Sequence, residues 1–473
     1  MLITREVINK NITFLDSPFS EIQPKIFNYD DVCYGIDHIK SILLSYNCQP
    51  GQSVLIGLPS TTLQIAAFFA CAELGLQVII LDHSRDDRWI NIDYIDPKTK
   101  SLLPINYYIF DRRAFHPVSW ARHNFLKNNS DHNVELDIKK IYHKFYDVHT
   151  TDILAKDTDI LLKCTSSGTT GTAKLVKHSH HFLHDLIKRN RVFYHGCVCM
   201  ILNLNHGSSP ATYFLPAVCS ENTTHFISYK MQTFDVFDFK KLSDKIIQLN
   251  VEHLMIPYSY MIDRLFNNGA NKSDLNLYTL STIQKDWLKY YKQEKVKNII
   301  SFFGCNETSG PLLINEIKDI DFSEWRYKLF DDFYKLNTNE GKNLEVMMPV
   351  YDATIYTNDK FDVKDGYFFY MGRNDLYRVN GLEVNLDAYS NLVSEQLDGT
   401  IIIDTAKDKL YLAIWDDIQD IDFKISELNS KLASLSNGVH QIQKFKSLNK
   451  DKFYSGVKLD MELLRDYFRN YVN

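Results

Sequence analysis

The stretch Thr165-Ser166-Ser167-Gly168-Thr169-Thr170-Gly171, followed by Lys174, decides how this chain is interpreted. It holds five hydroxyl side chains and two glycines in seven positions, so apolar packing does not explain it. Glycine lets a backbone turn sharply and approach a ligand, and N–H groups with hydroxyls form a donor surface that suits phosphate oxygens. The segment follows the apolar residues 160–162, which are expected to end a strand. A flexible Ser/Thr/Gly linker is the alternative.

The composition excludes some classes of protein. A chain of 473 residues is long for one core, so two or more domains are expected. The hydrophobic content of 45% and the charged content of 24% are ordinary for a globular protein. The net charge of -6 argues against a basic, nucleic-acid-binding surface, and no nucleic-acid partner is expected.

The cysteines and the apolar segments indicate the compartment. Eight cysteines are scattered, and the close pair Cys197 and Cys199 has neither metal-ligand nor redox spacing. Reduced thiols in a cytosol-like compartment are the simplest explanation. Residues 1–11 lack the apolar core of a signal peptide, and the apolar stretch 63–81 contains polar residues and falls short of a membrane span. We therefore expect a cytoplasmic protein without membrane association.

Helical and strand patterns alternate over most of the chain. The helical patterns cover residues 29–46, 62–74 and 238–249, and the apolar strand patterns cover residues 53–58, 77–81 and 253–257. Such units imply a parallel sheet covered by helices. From Tyr351 the pattern changes to short aromatic strands. We expect an α/β fold: a large N-terminal domain (1–373) of layered, mostly parallel sheets with helices, and a small, mobile α+β C-terminal domain (374–473).

Two kinds of phosphate-binding loop are candidates for the hydroxyl-rich stretch. The P-loop pattern G-x4-G-K-[ST] is nearly matched, but Ala173 replaces its second glycine and Leu175 replaces its Mg²⁺-binding hydroxyl. The stretch more closely resembles the loop of the adenylate-forming superfamily, which includes acyl-CoA synthetases, luciferases and peptide-synthetase adenylation domains. That loop usually reads Thr-Ser-Gly-Thr-Thr-Gly-x-Pro-Lys-Gly, and Lys174 matches its lysine.

Further segments resemble motifs of the same superfamily and follow in the same order. They are Pro50-Gly51-Gln52-Ser53-Val54, Phe303-Gly304-Cys305-Asn306-Glu307-Thr308, Tyr356-Thr357-Asn358-Asp359, Gly372-Arg373-Asn374-Asp375 with Gly381, and Ser455-Gly456-Val457-Lys458-Leu459-Asp460. The chain is identified as a member on this ordered set. Members join a carboxylate to the α-phosphorus of ATP and release pyrophosphate, a reaction in which positioning and electrostatics dominate.

The resemblance implies a role for each matching residue. It assigns ATP binding to Thr165, Ser166, Ser167, Gly168, Thr169, Thr170, Gly171, Lys174, Asn306, Asp359 and Arg373. Asp359 would accept the ribose hydroxyls, and Glu307 would help to place Mg²⁺. The alternatives are a turn aspartate at 359, a solvated loop acid at 307 and a surface ion pair at Arg373. Lys458, Glu307 and Thr170 are the expected catalytic residues.

The C-terminal motifs would supply the moving parts. By resemblance, Lys458 reaches into the active site and neutralises charge as the adenylate forms, and Asp375 is the hinge of the small domain. Val457 is an insertion before the lysine of the family motif. Lys450 or Lys452 is therefore the alternative to Lys458.

The acyl pocket is only partly assigned. His206, Gly207 and Gly304 are expected to line it, with a core histidine as the alternative for His206. The aspartate that binds an α-amino group in peptide synthetases is not found, and neither is the Gly-Gly turn that contacts adenine. The histidines at 178, 180, 181 and 184 have spacings that a zinc site could use, but cysteine is lacking and Asp185 is the single nearby carboxylate.

The sequence therefore predicts an ATP- and Mg²⁺-dependent ligase that activates a small organic carboxylic acid and passes it to a thiol. No carrier motif follows Lys458, so coenzyme A or the phosphopantetheine of a separate carrier protein is the expected acceptor. An amino-acid or aryl-acid adenylating enzyme that loads a stand-alone carrier is one alternative. A nucleotide-binding pseudoenzyme is the other.

Overall fold

A computed structural model gives the architecture of the protein. The described residues are 2–16, 25–58, 62–80, 105–110, 127–128, 130–136, 153–166, 174–201, 210–228, 239–256, 259–279, 287–305, 308–319, 326–338, 343–348, 353–373, 377–379, 382–384, 389, 392–393, 397, 399–404, 409–415, 420–436, 439–448, 454–455, 458–459, 464 and 467–468.

The helices and strands of these residues are numbered in chain order. The helices are α1 (Tyr29–Ser45), α2 (Thr62–Glu73), α3 (His180–Asn190), α4 (Leu215–Cys219), α5 (Phe239–Gln248), α6 (Ser259–Asn267), α7 (Leu288–Lys292) and α8 (Ile421–Leu435). The strands are β1 (Thr13–Asp16), β2 (Lys25–Phe27), β3 (Ser53–Gly57), β4 (Gln77–Ile80), β5 (Ile105–Phe110), β6 (Ser130–Glu135), β7 (Ile160–Ser166), β8 (Lys174–Ser179), β9 (Gly196–Met200), β10 (Thr223–Ser228), β11 (His253–Met255), β12 (Lys272–Thr279), β13 (Val296–Cys305), β14 (Gly310–Glu316), β15 (Lys328–Leu329), β16 (Lys335–Thr338), β17 (Asn343–Met348), β18 (Ala353–Lys364), β19 (Tyr367–Arg373), β20 (Tyr377–Val379), β21 (Leu382–Val384), β22 (Gly399–Asp404), β23 (Lys409–Ile414), β24 (Ile442–Ser447), β25 (Tyr454–Ser455) and β26 (Lys458–Leu459).

Two large sheets carry the N-terminal part of the chain. Among the described residues one sheet has nine strands, in the order β15-β14-β13-β12-β11-β9-β10-β1-β2, and the other has six, in the order β6-β5-β3-β4-β7-β8. The central pairs of both sheets are parallel, whereas β2, β8, β14 and β15 pair antiparallel with their neighbours. The predicted α/β class with mostly parallel sheets is confirmed. Helices supply the crossovers that parallel strands require.

Helix α2 packs against strands β3 and β4 of the six-stranded sheet, and α1 packs against α2. Asn28 caps α1 by accepting a hydrogen bond from the Asp31 N–H (3.0 Å), and the Asp31 carboxylate accepts one from the Asn28 N–H (2.8 Å). All twelve residues of α2 are buried, which explains its apolar, Ala- and Phe-rich sequence. Gly75 follows α2 with φ +69°, a conformation that favours glycine at a helix end.

A buried ion cluster fixes the N-terminal segment to these helices. The Arg5 guanidinium donates to both carboxylate oxygens of Glu73 (2.8 and 2.7 Å), and Lys40 Nζ donates to Glu73 Oε2 (2.8 Å). Arg5 also pairs with Asp37 at 2.8 Å. Burial works to raise the pKa of Glu73, but these hydrogen bonds outweigh it and hold that pKa below its usual value.

The last third of the described chain has smaller sheets and its own core. Strands β16 to β19 form an antiparallel sheet, and β22, β23 and β24 form a mixed one. A hydrophobic cluster that begins at Val379 and ends at Ile442 gathers β22 and β23 around one face of α8. A core of its own after residue 373 is what a small C-terminal domain needs, and we propose the boundary at 373/374 on that basis. Among the described residues, no helix has the length and apolar character to cross a membrane.

Candidate nucleotide-binding site

Strands β7 and β8, which flank residues 167–173, pair antiparallel at the edge of the six-stranded sheet. We expected strand β7 to end with the apolar residues 160–162, but it continues to Ser166. Ser166 pairs with Lys174, the first residue of β8. Residues 167–173 lie outside the described residues. Because Ser166 and Lys174 are paired, the two residues that flank this segment lie side by side at the carboxyl end of β7. Carboxyl ends of parallel strands are where α/β proteins bind ligands.

The predicted Glu307 motif joins the carboxyl end of β13 to the start of β14. Asn306 and Glu307 lie outside the described residues, but both flanks are fixed. The Thr308 hydroxyl accepts from the Cys305 N–H (3.3 Å) and lies 3.0 Å from the Cys305 carbonyl and 3.1 Å from that of Gly310. A Cβ on Gly304 would lie 2.5 Å from the Gly310 carbonyl oxygen, so this position accepts no side chain. Close backbone packing therefore explains Gly304, which was expected to line the acyl pocket.

A buried hydrogen bond joins the two motifs. Ser309 Oγ lies 2.6 Å from Nε2 of His178, which belongs to β8. Both residues are fully or almost fully buried. Strand β8 belongs to the six-stranded sheet and Ser309 precedes β14 of the nine-stranded sheet, so this bond links the two sheets. It lies two residues after Glu307 on one side and four residues after Lys174 on the other.

Asp359 is buried in the middle of a strand. It lies in β18 and pairs with Arg373 of β19, so the alternative interpretation as a turn aspartate is wrong. Asp359 is 6% exposed, and its Oδ1 accepts a hydrogen bond from the Tyr370 hydroxyl at 3.4 Å. The backbone N–H of Asp359 donates to the Thr357 hydroxyl at 3.3 Å. A carboxylate held in this way can accept hydrogen bonds from vicinal hydroxyls.

An aromatic cluster joins Asp359 to the Glu307 motif. The ring of Phe303, at the end of β13, lies 5.7 Å from Tyr370 and 5.0 Å from Phe361, measured between centroids. Phe361 and Tyr370 are 5.2 Å apart. Phe303 and Phe361 meet edge to face and the other two pairs are tilted, and such contacts favour fixed ring orientations. The aromatic residue of the Phe303 motif therefore positions the strand pair that carries Asp359 and Arg373.

The histidines considered for zinc occupy different surroundings. His178 lies in strand β8, whereas His180 begins helix α3. His180 Nδ1 accepts a hydrogen bond from the Ile3 N–H (3.2 Å), and burial lowers the pKa of His180 to about 4. His181 and His184 lie beside Asp185 on α3. In the described part of the chain, no group of three or more His, Cys, Asp or Glu residues is placed to hold a metal ion.

Several predicted residues are described only in part or not at all. Ser167, Gly168, Thr169, Thr170, Gly171, His206, Gly207, Asn306, Glu307, Asp375, Lys450 and Lys452 lie outside the described residues. Thr165, Ser166, Lys174, Arg373 and Lys458 are placed by their backbones, Lys458 in β26 opposite Ser455. The roles of these residues stay predictions.

The sequence reasoning missed residues that hold the motifs in place. They are His178, Ser309, Thr212, Tyr334 and Tyr370. Thr212 donates to the Ser309 carbonyl (2.9 Å), and Tyr334 donates to the Thr308 carbonyl (2.7 Å). Proximity to a motif along the chain could have indicated Ser309 and Tyr370, but the other three become neighbours only through the fold.

A comparison with protein families assigns the chain. The family model described as "AMP-binding enzyme" matches residues 23–327. The chain belongs to the AMP-binding enzyme family. The match includes the hydroxyl-rich loop and the Glu307 motif, so membership of the adenylate-forming superfamily is confirmed. No curated protein is significantly similar to the chain in sequence.

Solved structures with the same fold span the full chain. The o-succinylbenzoate CoA synthetase MenE from Bacillus subtilis is 13% identical, with a TM-score of 0.67 over 98% of this chain and 97% of that one. The amide bond synthetase McbA from Marinactinospora thermotolerans is 14% identical, with a TM-score of 0.71 over 98% of each chain. McyG A-PCP complexed with phenylalanyl-adenylate is 14% identical, with a TM-score of 0.64 over 100% of this chain and 96% of that one. At these identities the likeness establishes the fold.

Proposed function

We propose that the protein is an ATP-dependent ligase that activates a small organic carboxylic acid as its acyl-adenylate, releases pyrophosphate and transfers the acyl group to a thiol. One observation carries the proposal. The Ser309–His178 bond joins strand β8, which follows the hydroxyl loop, to the segment after Glu307, and the Phe303–Tyr370 contact joins the segment before Glu307 to the Asp359 strand pair. A nucleotide needs its phosphates and its ribose held together in this way.

The donors and acceptors in this unit suit ATP. The buried Asp359 carboxylate is an acceptor for ribose hydroxyls. Glu307, together with phosphate oxygens, would hold Mg²⁺, which neutralises charge on the polyphosphate. Lys458 would then supply a positive charge to the reacting phosphoryl group.

Carboxylate-dependent exchange of radiolabelled pyrophosphate into ATP tests the proposal. We expect exchange with one or a few acids from a panel of aliphatic, aromatic and amino acids. Binding of MgATP without exchange for any acid would instead support a pseudoenzyme. Absence of both binding and exchange would refute the assignment.

The acceptor is tested after the acid is known. Coenzyme A and a phosphopantetheinylated carrier protein are the proposed thiols, and a thioester detected by mass spectrometry distinguishes them. A carrier-loading amino-acid or aryl-acid enzyme is the second candidate, because the fold matches McyG A-PCP over the whole chain. An amine belongs in the same panel, since an amide bond synthetase shares the fold.

A further inference from the structure

The segment that follows Glu307 is held on several sides. Among the described residues its contacts come from four separate parts of the chain: His178 to Ser309 Oγ (2.6 Å), Thr212 Oγ1 to the Ser309 carbonyl (2.9 Å), Tyr334 to the Thr308 carbonyl (2.7 Å) and Arg189 to the Pro311 carbonyl (2.9 Å). The contacts from Thr212, Tyr334 and Arg189 are hydrogen bonds to backbone carbonyls at or next to the start of β14, in the nine-stranded sheet. The contact from His178 comes from the other sheet.

The backbone of Ser309 is in a strained conformation. Its φ is +45°, in the left-handed region that non-glycine residues rarely adopt. A serine persists there only when its surroundings determine the conformation. The hydroxyl bonded to His178 gives a reason for serine at a position where glycine would be less strained.

His178 lies on the strand that follows the hydroxyl loop. It lies in β8, the strand that begins at Lys174 immediately after residues 167–173, and it pairs with Leu162 of β7. A strand is stiff over this length, about 13 Å from residue 174 to residue 178. A shift of Ser309 is therefore transmitted through His178 to the hairpin that carries the loop.

From these observations we infer that His178 and Ser309 are positioning residues that hold strand β8, which follows the hydroxyl loop, against the start of β14, which follows the Glu307 segment, and that they thereby support the proposed binding of the MgATP polyphosphate. The inference rests on the proposed function. Neither side chain reaches the nucleotide, because both are buried. Their effect is to keep two ligand-holding segments of different sheets in register.

The inference predicts loss of affinity for MgATP and not for AMP, which lacks the β- and γ-phosphates. The variants are Ser309→Ala, Ser309→Gly, His178→Leu, His178→Gln and the double variant Ser309→Ala/His178→Leu. Ser309→Gly removes the hydroxyl and relieves the positive φ, so it tests the bond even if the alanine variant folds poorly. Gln at 178 places an amide nitrogen near the position of Nε2 and is the conservative replacement.

Isothermal calorimetry with MgATP and with AMP is the measurement. Loss of one partner of a buried hydrogen bond is expected to weaken MgATP binding about 10-fold in Ser309→Ala, Ser309→Gly and His178→Leu. AMP binding should change less than about 2-fold, His178→Gln should recover most of the MgATP affinity, and the double variant should be no weaker than the single variants. Ser220→Ala, which removes a buried 2.6 Å bond to the Tyr194 carbonyl far along the chain, is the matched control for stability.

The outcomes separate the possible failures. In one outcome the melting temperature of the variants falls as much as that of Ser220→Ala, but they bind MgATP as tightly as the wild type. This result would overturn the inference and leave the proposed function intact. Equal losses for MgATP and AMP would also overturn it. Wild-type protein that binds no MgATP would refute the proposed function and this inference with it.

Discussion

The hydroxyl of Tyr370 donates a hydrogen bond to Oδ1 of Asp359 across the β18–β19 ladder, at 3.4 Å. The same tyrosine packs on Phe303, which lies near the end of β13, the strand before Glu307. Tyr370 thus couples the proposed ribose acceptor to the proposed metal-binding segment. The predictions below follow from this and from other contacts of the described residues.

Asp359→Asn should weaken ATP binding while the protein stays folded. Replacing a charged acceptor by an amide removes hydrogen bonds worth about 1.5–3 kcal/mol, which corresponds to a roughly 10- to 100-fold rise in the KM for ATP. Tyr370→Phe keeps the ring contact with Phe303 and should raise this KM only about 2- to 5-fold. The KM in pyrophosphate exchange is the measurement, and equal effects of both substitutions would contradict the role of Asp359.

Lys458→Ala should reduce adenylation about 10²- to 10³-fold, the usual cost of removing one charge-stabilising donor. Its melting temperature should stay that of the wild type. Lys450→Ala and Lys452→Ala are the matched controls and should keep near-normal exchange. A large loss in either control, with Lys458→Ala active, would move the catalytic role to that lysine.

Glu73→Gln should destabilise the fold by about 3–5 kcal/mol, because it removes the buried carboxylate charge that Lys40 and the half-buried Arg5 share. Urea unfolding at pH 7 measures this change. Glu6→Gln, which breaks an exposed pair with Lys10, is the control and should cost less than about 0.5 kcal/mol.

The same cluster predicts acid sensitivity. The pKa of Glu73 is lowered in the folded state, so its stabilisation is complete above the unfolded pKa and is lost as the pH falls through the folded value. The difference in stability between wild type and Glu73→Gln should therefore shrink below about pH 4.5. A difference that does not depend on pH would contradict the ionised state of Glu73.

His440 should make the small domain sensitive to acid over a different range. It is fully buried, with Nδ1 2.5 Å from the Tyr389 hydroxyl and Nε2 2.8 Å from the Val379 carbonyl, and burial lowers its pKa to about 4. Between about pH 6.5 and 4 the unfolded chain binds a proton at this histidine that the folded chain does not. Stability therefore falls as the pH decreases through this range.

The slope of stability against pH, from urea unfolding at several pH values, tests this point. His440→Gln should reduce the slope between pH 6.5 and 4. Equal slopes for wild type and His440→Gln would contradict a neutral buried His440.

The sequence predicted much of the fold because local patterns and packing agree. The amphipathic α1, the apolar α2 and the short strands β3 and β4 were all expected within one or two residues of their observed bounds. The predicted end of strand β7 was too early. The last residues of this strand are polar, and their pairing with β8 places them in the strand. The turn alternative for Asp359 failed for the same reason: pairing with β19 extends β18 through a polar segment.

The site was predicted as a set of separate motifs, and the contacts between the motifs were not. Nothing in the local sequence shows that His178 meets Ser309, because 131 positions separate them. The aromatic contact of Phe303 with Tyr370 also forms between distant strands. Such contacts depend on how the two large sheets and the β16–β19 sheet pack against one another. A single sequence does not specify this packing.

A crystal structure of the wild-type protein with ATP and Mg²⁺ tests the central claim most directly. We predict the β- and γ-phosphates against residues 167–171 with Lys174, the metal beside Glu307 and the ribose hydroxyls on Asp359. A triphosphate bound elsewhere, with the hydroxyl loop free of ligand, would contradict the account.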